Sequence, residues 1–351
     1  MARQRTWQRA FIGRAIVLLS TAALLASCAP VIHPRGPAVT EPVIITNQQA
    51  DAAIVAADGA RLPLRIWQPE SKPRAVFLAL HGFNDYANAV AMPAQFWAAQ
   101  GIEIWAYDQR GFGRAPHRGY WAGTATMTGD LRTAARLAKK QHPDAPLYIL
   151  GVSMGGAVAM AALADGPIPG VEGAILVGPA VWGRAHMNPF QRAALWLASN
   201  TMPWLTLTGE GLNRQPSDNI PMLRALGRDP LIIRHTRVDA IKGLVDLMDV
   251  AMEAGSRIAH TPVLMIYGLK DEIVPKTPVL EAMRSLPARA GTKRAVYDGG
   301  WHMMLRDLKA ETVWRDIARW TADRTKPLPS GADRRAATIL ANTATPDMEQ
   351  D

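Results

Sequence analysis

Short continuous apolar runs set the rhythm of the chain: residues 75–80, 102–107 and 147–151. Each is too short for a core helix and ends at a polar or glycine-rich turn, which predicts strands buried on both faces. Between and after them, apolar positions recur at helical spacing over 93–100, 128–141 and 153–163. Buried strands alternating with helices predict an α/β architecture, a mostly parallel central sheet with helices on both faces. Further strands are expected at 174–177, 263–267 and 294–297. Ahead of them, alternating stretches at 53–56 and 62–67, split by Asp58-Gly59, predict a hairpin.

The rhythm breaks between residues 178 and 262, a gap far longer than the roughly 30 residues of a strand-helix-strand unit. An inserted helical cap is expected at about 181–240. Asn188-Pro189 marks a helix start, and Phe190, Ala193, Ala194 and Leu197 form one stripe, with Leu195 and Trp196 outside it. Two readings stay open: a helix buried between two layers, or a cap whose inner face, with Phe190, Trp196 and Trp204, lines an apolar substrate channel. Ile241, Leu244, Val245, Met248 and Met252 recur at helical spacing and are expected to be core. After Lys326 the chain turns polar and proline-rich, so 326–351 is expected to be a disordered tail.

The formal charge of +9 suggests nucleic acid until its position is noted. Arg3, Arg5, Arg9 and Arg14 lie in a leading segment without acidic residues; without these four charges the balance is +5. The remaining cations, Arg132, Arg136, Lys139 and Lys140 among them, follow helical patterns without the interleaved aromatics of nucleic-acid motifs, so no nucleic-acid partner is expected. A lone cysteine, which forms no internal disulfide, favours a reducing compartment until its place is considered. Cys28 follows basic residues and the apolar run 15–25, the layout of a secretory signal and too short for a spanning helix. Leu25-Ala26-Ser27-Cys28 resembles the bacterial lipobox. That resemblance implies a signal peptide over 1–27 and a lipidated Cys28 holding the protein in the bacterial cell envelope. Ala29 leans toward the periplasmic face of the outer membrane. Residues 28–50, with Pro30, Pro34, Pro37 and Pro42, are expected to be an extended tether, and 51–325 the catalytic domain.

In parallel sheets the reactive groups gather beyond the carboxyl ends of the strands. There, Gly151-Val152-Ser153-Met154-Gly155 joins a strand to a helix, the setting in which a strained turn lifts a serine hydroxyl clear of the backbone. A serine hydroxyl needs a base, and the base an orienting carboxylate. His302, after a late strand and the turn Asp298-Gly299-Gly300, is the expected base. Asp271 and its neighbour Glu272, just beyond the strand at 263–267, are the two candidates for the orienting acid. The N–H groups of Phe83 and Met154 are expected to hold the oxyanion, and His81 to structure its loop. This chemistry calls for no metal and no cofactor.

His81-Gly82-Phe83, Asp108 to Gly113, Gly151 to Gly156, Gly268 to Pro275 and Gly300-Trp301-His302 together resemble the monoacylglycerol lipase and lysophospholipase branch of the α/β-hydrolases, which also includes serine aminopeptidases. The resemblance spans 51–323 and implies the α/β-hydrolase fold, Asp271 rather than Glu272 as the orienting acid, and cleavage of carboxylic esters of single-acyl lipids. Phe112, Ala115 and Val152 depart from residues common in that branch, which bears on substrate rather than on chemistry. An aminopeptidase or amidase of the same fold would instead need cap carboxylates for a substrate amine, for which Glu210 and Asp218 are available. A non-catalytic lipid-binding envelope protein would keep the fold without turnover.

Overall fold

The computed structural model describes residues 29–46, 52–211 and 213–342; Cys28 and the leading segment lie outside them. The first strands among the described residues are β1 (Val43–Thr46), β2 (Ala52–Val55), β3 (Arg61–Trp67) and β4 (Ala75–Leu80). Helix α1 (Ala91–Ala98) leads to β5 (Ile102–Tyr107), α2 (Thr124–Gln141) to β6 (Leu147–Val152), and α3 (Met154–Ala164) to β7 (Val171–Val177). The insertion follows, with α4 (Pro189–Thr201), β8 (Thr206–Leu207), α5 (Ile220–Arg228) and β9 (Thr236–Arg237). Helix α6 (Val238–Ala254) returns to the sheet at β10 (Val263–Gly268), and α7 (Lys276–Ser285), β11 (Lys293–Tyr297), α8 (Ala310–Ala322) and α9 (Ala332–Asn342) complete the described chain.

Among the described residues, nine strands form one sheet in the order β1-β2-β3-β5-β4-β6-β7-β10-β11. From β5 to β11 every neighbouring pair is parallel, whereas β1, β2 and β3 join antiparallel. Strands β4, β5 and β10 are buried at every position, as expected of strands packed on both faces. Alternate residues serve the two layers: Val76, Leu78 and Leu80 join α2, α3 and α6, while Phe77 and Ala79 join α1 and α8. Burial of Ala157, Val158, Ala161 and Ala162 makes α3 the central helix beneath the sheet, its small side chains letting it lie close.

Two terminal expectations differ from the structure. Residues 29–46, the described part of the extended tether expected over 28–50, lie against the domain. Ile32 bridges to Trp121, the Val31 N–H donates to Asp239 Oδ2 (3.2 Å), Arg35 pairs with Asp130 (3.0 Å), and β1 adds to the sheet edge at β2. Prolines keep this segment extended, and the open edge of β2 and the Asp130 carboxylate supply its partners. At the other end, the expected disordered tail contains α9. Ala332 and Ala336 are fully buried, Arg335 donates to the Val296 carbonyl (2.9 Å), and Ser330 binds Asp316. The seam is made of alanines one turn apart, too weak a hydrophobic signal to stand out in a polar stretch.

Candidate active site

Ser153 sits between β6 and α3 with φ 50° and ψ −114°, a left-handed backbone that a non-glycine residue adopts at a cost of about 1–3 kcal/mol. Its surroundings hold it there. The Ser153 N–H donates to the Val177 carbonyl (3.0 Å), and its own carbonyl accepts from Ala157 (3.1 Å) and Ala180 (3.0 Å). The turn also needs its glycines. A Cβ at Gly151 would lie 2.5 Å from the Gly155 oxygen, and one at Gly155 would lie 2.4 Å from the Leu80 oxygen. The hydroxyl therefore stands at the N-terminus of α3, where the helix dipole favours developing negative charge.

The loops after β10 and β11 meet at this hydroxyl. His302 Nε2 lies 3.0 Å from Ser153 Oγ, and His302 Nδ1 lies 2.8 Å from Asp271 Oδ2. Asp271 is itself fixed, because its Oδ1 accepts the N–H groups of Ile273 (2.8 Å) and Val274 (2.9 Å). The carboxylate fixes the tautomer: Nδ1 carries the proton and donates to Asp271, so Nε2 faces the serine as an acceptor. Glu272 points elsewhere, accepting the Gln215 N–H in the insertion (2.8 Å). Beneath the histidine loop, Asp307 accepts from the Trp301 N–H (2.9 Å) and the Ser217 hydroxyl (2.6 Å), and burial raises its carboxyl above the usual range.

Among the described residues, the N–H groups of Phe83 and Met154 have no protein acceptor. His81 explains how the first is aimed. The Gln109 N–H can only donate, so His81 Nε2 accepts it (2.9 Å), leaving Nδ1–H to donate to the Gly82 carbonyl (2.8 Å). Asp85 N–H donates to the same carbonyl (3.3 Å). A trans peptide points its C=O and N–H in opposite directions, so holding the Gly82 oxygen back turns the Phe83 N–H the other way. Complete burial lowers the basicity of His81 and keeps it neutral. Phe112 packs edge-on against both His81 and Phe83, with centroids 5.5 and 5.6 Å apart, and supports the loop from behind.

A cavity of about 440 Å³ opens over Ser153 and His302. Its walls include Phe83, Met187, Leu244, Met248 and Ile273. This corrects two expectations. Phe190, Trp196 and Trp204 do not line the cavity; they are 80%, 67% and 50% exposed on the outside of the insertion. Helix α4 is thus neither buried between layers nor turned inward. Ile241, Leu244, Val245 and Met248, expected as core alone, form a cavity wall on α6. Core stripes and cavity walls share one periodicity, so spacing could not separate them. Sequence reasoning also missed Asp85 and Arg306, which face the cavity as an ion pair. Asp85 lies in the loop after β4 and Arg306 follows His302, but neither belongs to a recognisable motif. Glu210 and Asp218 lie outside the cavity lining, with Asp218 accepting the Leu308 N–H (2.8 Å).

Sheet order, a strained serine between strand and helix, and a Ser-His-Asp hydrogen-bonded line define an α/β-hydrolase. Residues 71–309 match the family described as "Serine aminopeptidase, S33", and the chain belongs to that family of serine hydrolases. It is 26% identical to a monoacylglycerol lipase of Mycolicibacterium smegmatis, over 79% of this chain and 98% of the relative. It is 24% identical to phospholipase YtpA of Bacillus subtilis, over 73% and 97% respectively. Among solved structures, a soluble variant of the Saccharomyces cerevisiae monoglyceride lipase shares the fold, with TM-score 0.67 and 20% identity over 85% of this chain and 100% of that one. A Paleococcus ferrophilus monoacylglycerol lipase does so with TM-score 0.63 and 18% identity, over 75% and 99%.

Proposed function

We propose that the protein hydrolyses carboxylic esters of single-acyl lipids, of the monoacylglycerol or lysophospholipid type, through an acyl-enzyme. The observation that carries this reading is the apolar cavity over Ser153, where among the described residues the only lining carboxylate, Asp85, is already paired with Arg306. An acyl chain fits such walls, whereas a substrate ammonium would find no free acid. This favours the ester over the aminopeptidase reading. The names of the relatives, a monoacylglycerol lipase and a phospholipase, point the same way.

In the first half-reaction Ser153 Oγ attacks the ester carbonyl while its proton passes to His302 Nε2, and Asp271 stabilises the imidazolium. The carbonyl electron pair moves to oxygen, which the Phe83 and Met154 N–H groups receive. Collapse breaks the bond to the alcohol, whose oxygen takes the proton from His302. Water then attacks the acyl-serine by the same path, releasing the carboxylic acid and restoring the serine. We also propose that Cys28 carries the membrane anchor. With about 0.8 kcal/mol of membrane affinity per buried CH₂, several acyl chains hold a domain firmly.

An ester series of increasing acyl length, run beside aminoacyl arylamides, tests the substrate reading. Turnover favouring medium or long acyl esters supports it, and faster cleavage of the arylamides overturns it. For the anchor, Cys28→Ala should move the protein from the membrane fraction to the soluble one; unchanged membrane association would count against lipidation.

A further inference from the structure

The oxyanion loop and the histidine loop are joined across the cavity by one side chain. Arg306, four residues after His302, donates through Nε–H to the Ala89 carbonyl (2.9 Å) and through an Nη2–H to Asp85 Oδ2. Among the described residues these are the only hydrogen bonds between residues 81–90 and 298–308. Asp85 is firmly seated in its loop. Its Oδ1 accepts the Tyr86 N–H (2.8 Å), and its own N–H binds the Gly82 carbonyl, the oxygen whose placement aims the Phe83 N–H. Both side chains are nearly buried, at 9% and 11% exposed.

A buried ion pair is a poor device for stability, since well-packed apolar residues usually serve as well or better. It is a good device for holding two loops at a fixed distance, because the planar guanidinium has its donors in a rigid fork. One arm here grips a carboxylate and another a backbone carbonyl of the same partner loop. Resting on the serine-hydrolase reading above, we propose that Arg306 and Asp85 form a positioning clamp. The clamp sets the spacing between the oxyanion donor Phe83 and the base His302, and so governs kcat without contact with the reacting atoms. A misplacement of about 1 Å among reacting groups is enough to cost about 100-fold in rate.

The test compares wild type with Arg306→Met, Arg306→Lys and Asp85→Asn on a short, soluble p-nitrophenyl ester, with circular dichroism to establish folding. The clamp predicts that Arg306→Met lowers kcat by about 100-fold, with KM within about twofold of wild type. Arg306→Lys, which keeps a charge for Asp85 but not the fork, should recover part of kcat. The rate of fluorophosphonate labelling at Ser153 should fall in parallel, because that reaction also places negative charge in the oxyanion hole. If Arg306→Met does not fold, Asp85→Asn and Arg306→Lys decide by the same split between kcat and KM. Folded variants with wild-type kcat overturn the clamp. A raised KM with unchanged kcat also overturns it, making the pair a substrate contact instead. Absence of ester turnover by wild type would strike the hydrolase reading, while the labelling rates would still report on the clamp.

Discussion

Replacing Asp271 with asparagine should invert the proton positions along the whole catalytic line. The side chain at 271 has two unequal ends. One oxygen, Oδ1, receives the N–H groups of Ile273 and Val274, and the other faces His302 Nδ1. In Asp271→Asn the carbonyl oxygen of the new amide must take the end with two obligatory donors, since an NH₂ group there would leave both unsatisfied. The Ile273 N–H is exposed and the Val274 N–H part-buried, so setting a third donor against them costs on the order of 1 kcal/mol, which favours this orientation. The NH₂ group then faces His302 Nδ1 and donates to it. Nδ1 becomes the acceptor, the ring proton moves to Nε2, and the serine meets a donor where it needs a base. Wrong-tautomer substitutions of this kind lower kcat by about 10⁴, which corresponds to roughly 5.5 kcal/mol of barrier. Steady-state hydrolysis of a soluble ester near neutral pH reads the effect, with little change in KM or in thermal stability. A loss of less than about tenfold would refute the assignment of Asp271 as the tautomer-fixing carboxylate.

Further outcomes follow from the cavity, a buried ion pair and the tail. Met248→Trp should shift preference toward shorter acyl esters by filling the cavity, whereas Trp196→Ser should leave the chain-length profile on soluble esters unchanged; competition between esters of two lengths measures both. Asp58 accepts two hydrogen bonds from Arg110, which hold its carboxyl down at about 2 from 3.8. Because the folded value is the depressed one, the stability that Asp58 adds over Asp58→Asn should be complete above pH 4. It should fade as pH falls through about 2, as urea denaturation across that range would show. Truncation after Lys326 removes the buried face of α9 and the Arg335 hydrogen bond, and should lower stability by on the order of 3 kcal/mol, read as a lower urea midpoint.

How much could be read in advance depended on whether a feature was local. The runs that became β4, β5 and β6 are legible because a strand buried on both faces must be apolar throughout. Ser153 is legible because its turn restricts the residues on either side, and His302 and Asp271 because each follows a strand end. What escaped depends on tertiary neighbours. Asp85 and Arg306 lie far apart in the chain and meet only when the two loops fold over the cavity. The placement of Phe190, Trp196 and Trp204 on the outside reverses the usual rule that large apolar residues turn inward, and nothing in their spacing marks the exception. Residues 29–46 look like a spacer in sequence because prolines suppress periodicity. Their partners, Asp239, Trp121 and Asp130, belong to distant elements.

Active-site labelling paired with turnover decides whether Ser153 is the nucleophile of an ester hydrolase. Wild-type protein treated with a fluorophosphonate should be modified at Ser153, identified by mass spectrometry of the peptide, and should lose ester hydrolysis in proportion to labelling. Ser153→Ala should remain folded, take no label and turn over no ester. Wild-type protein that neither hydrolyses esters nor reacts with the probe at Ser153 would rule out that role, as would a folded Ser153→Ala that retains activity.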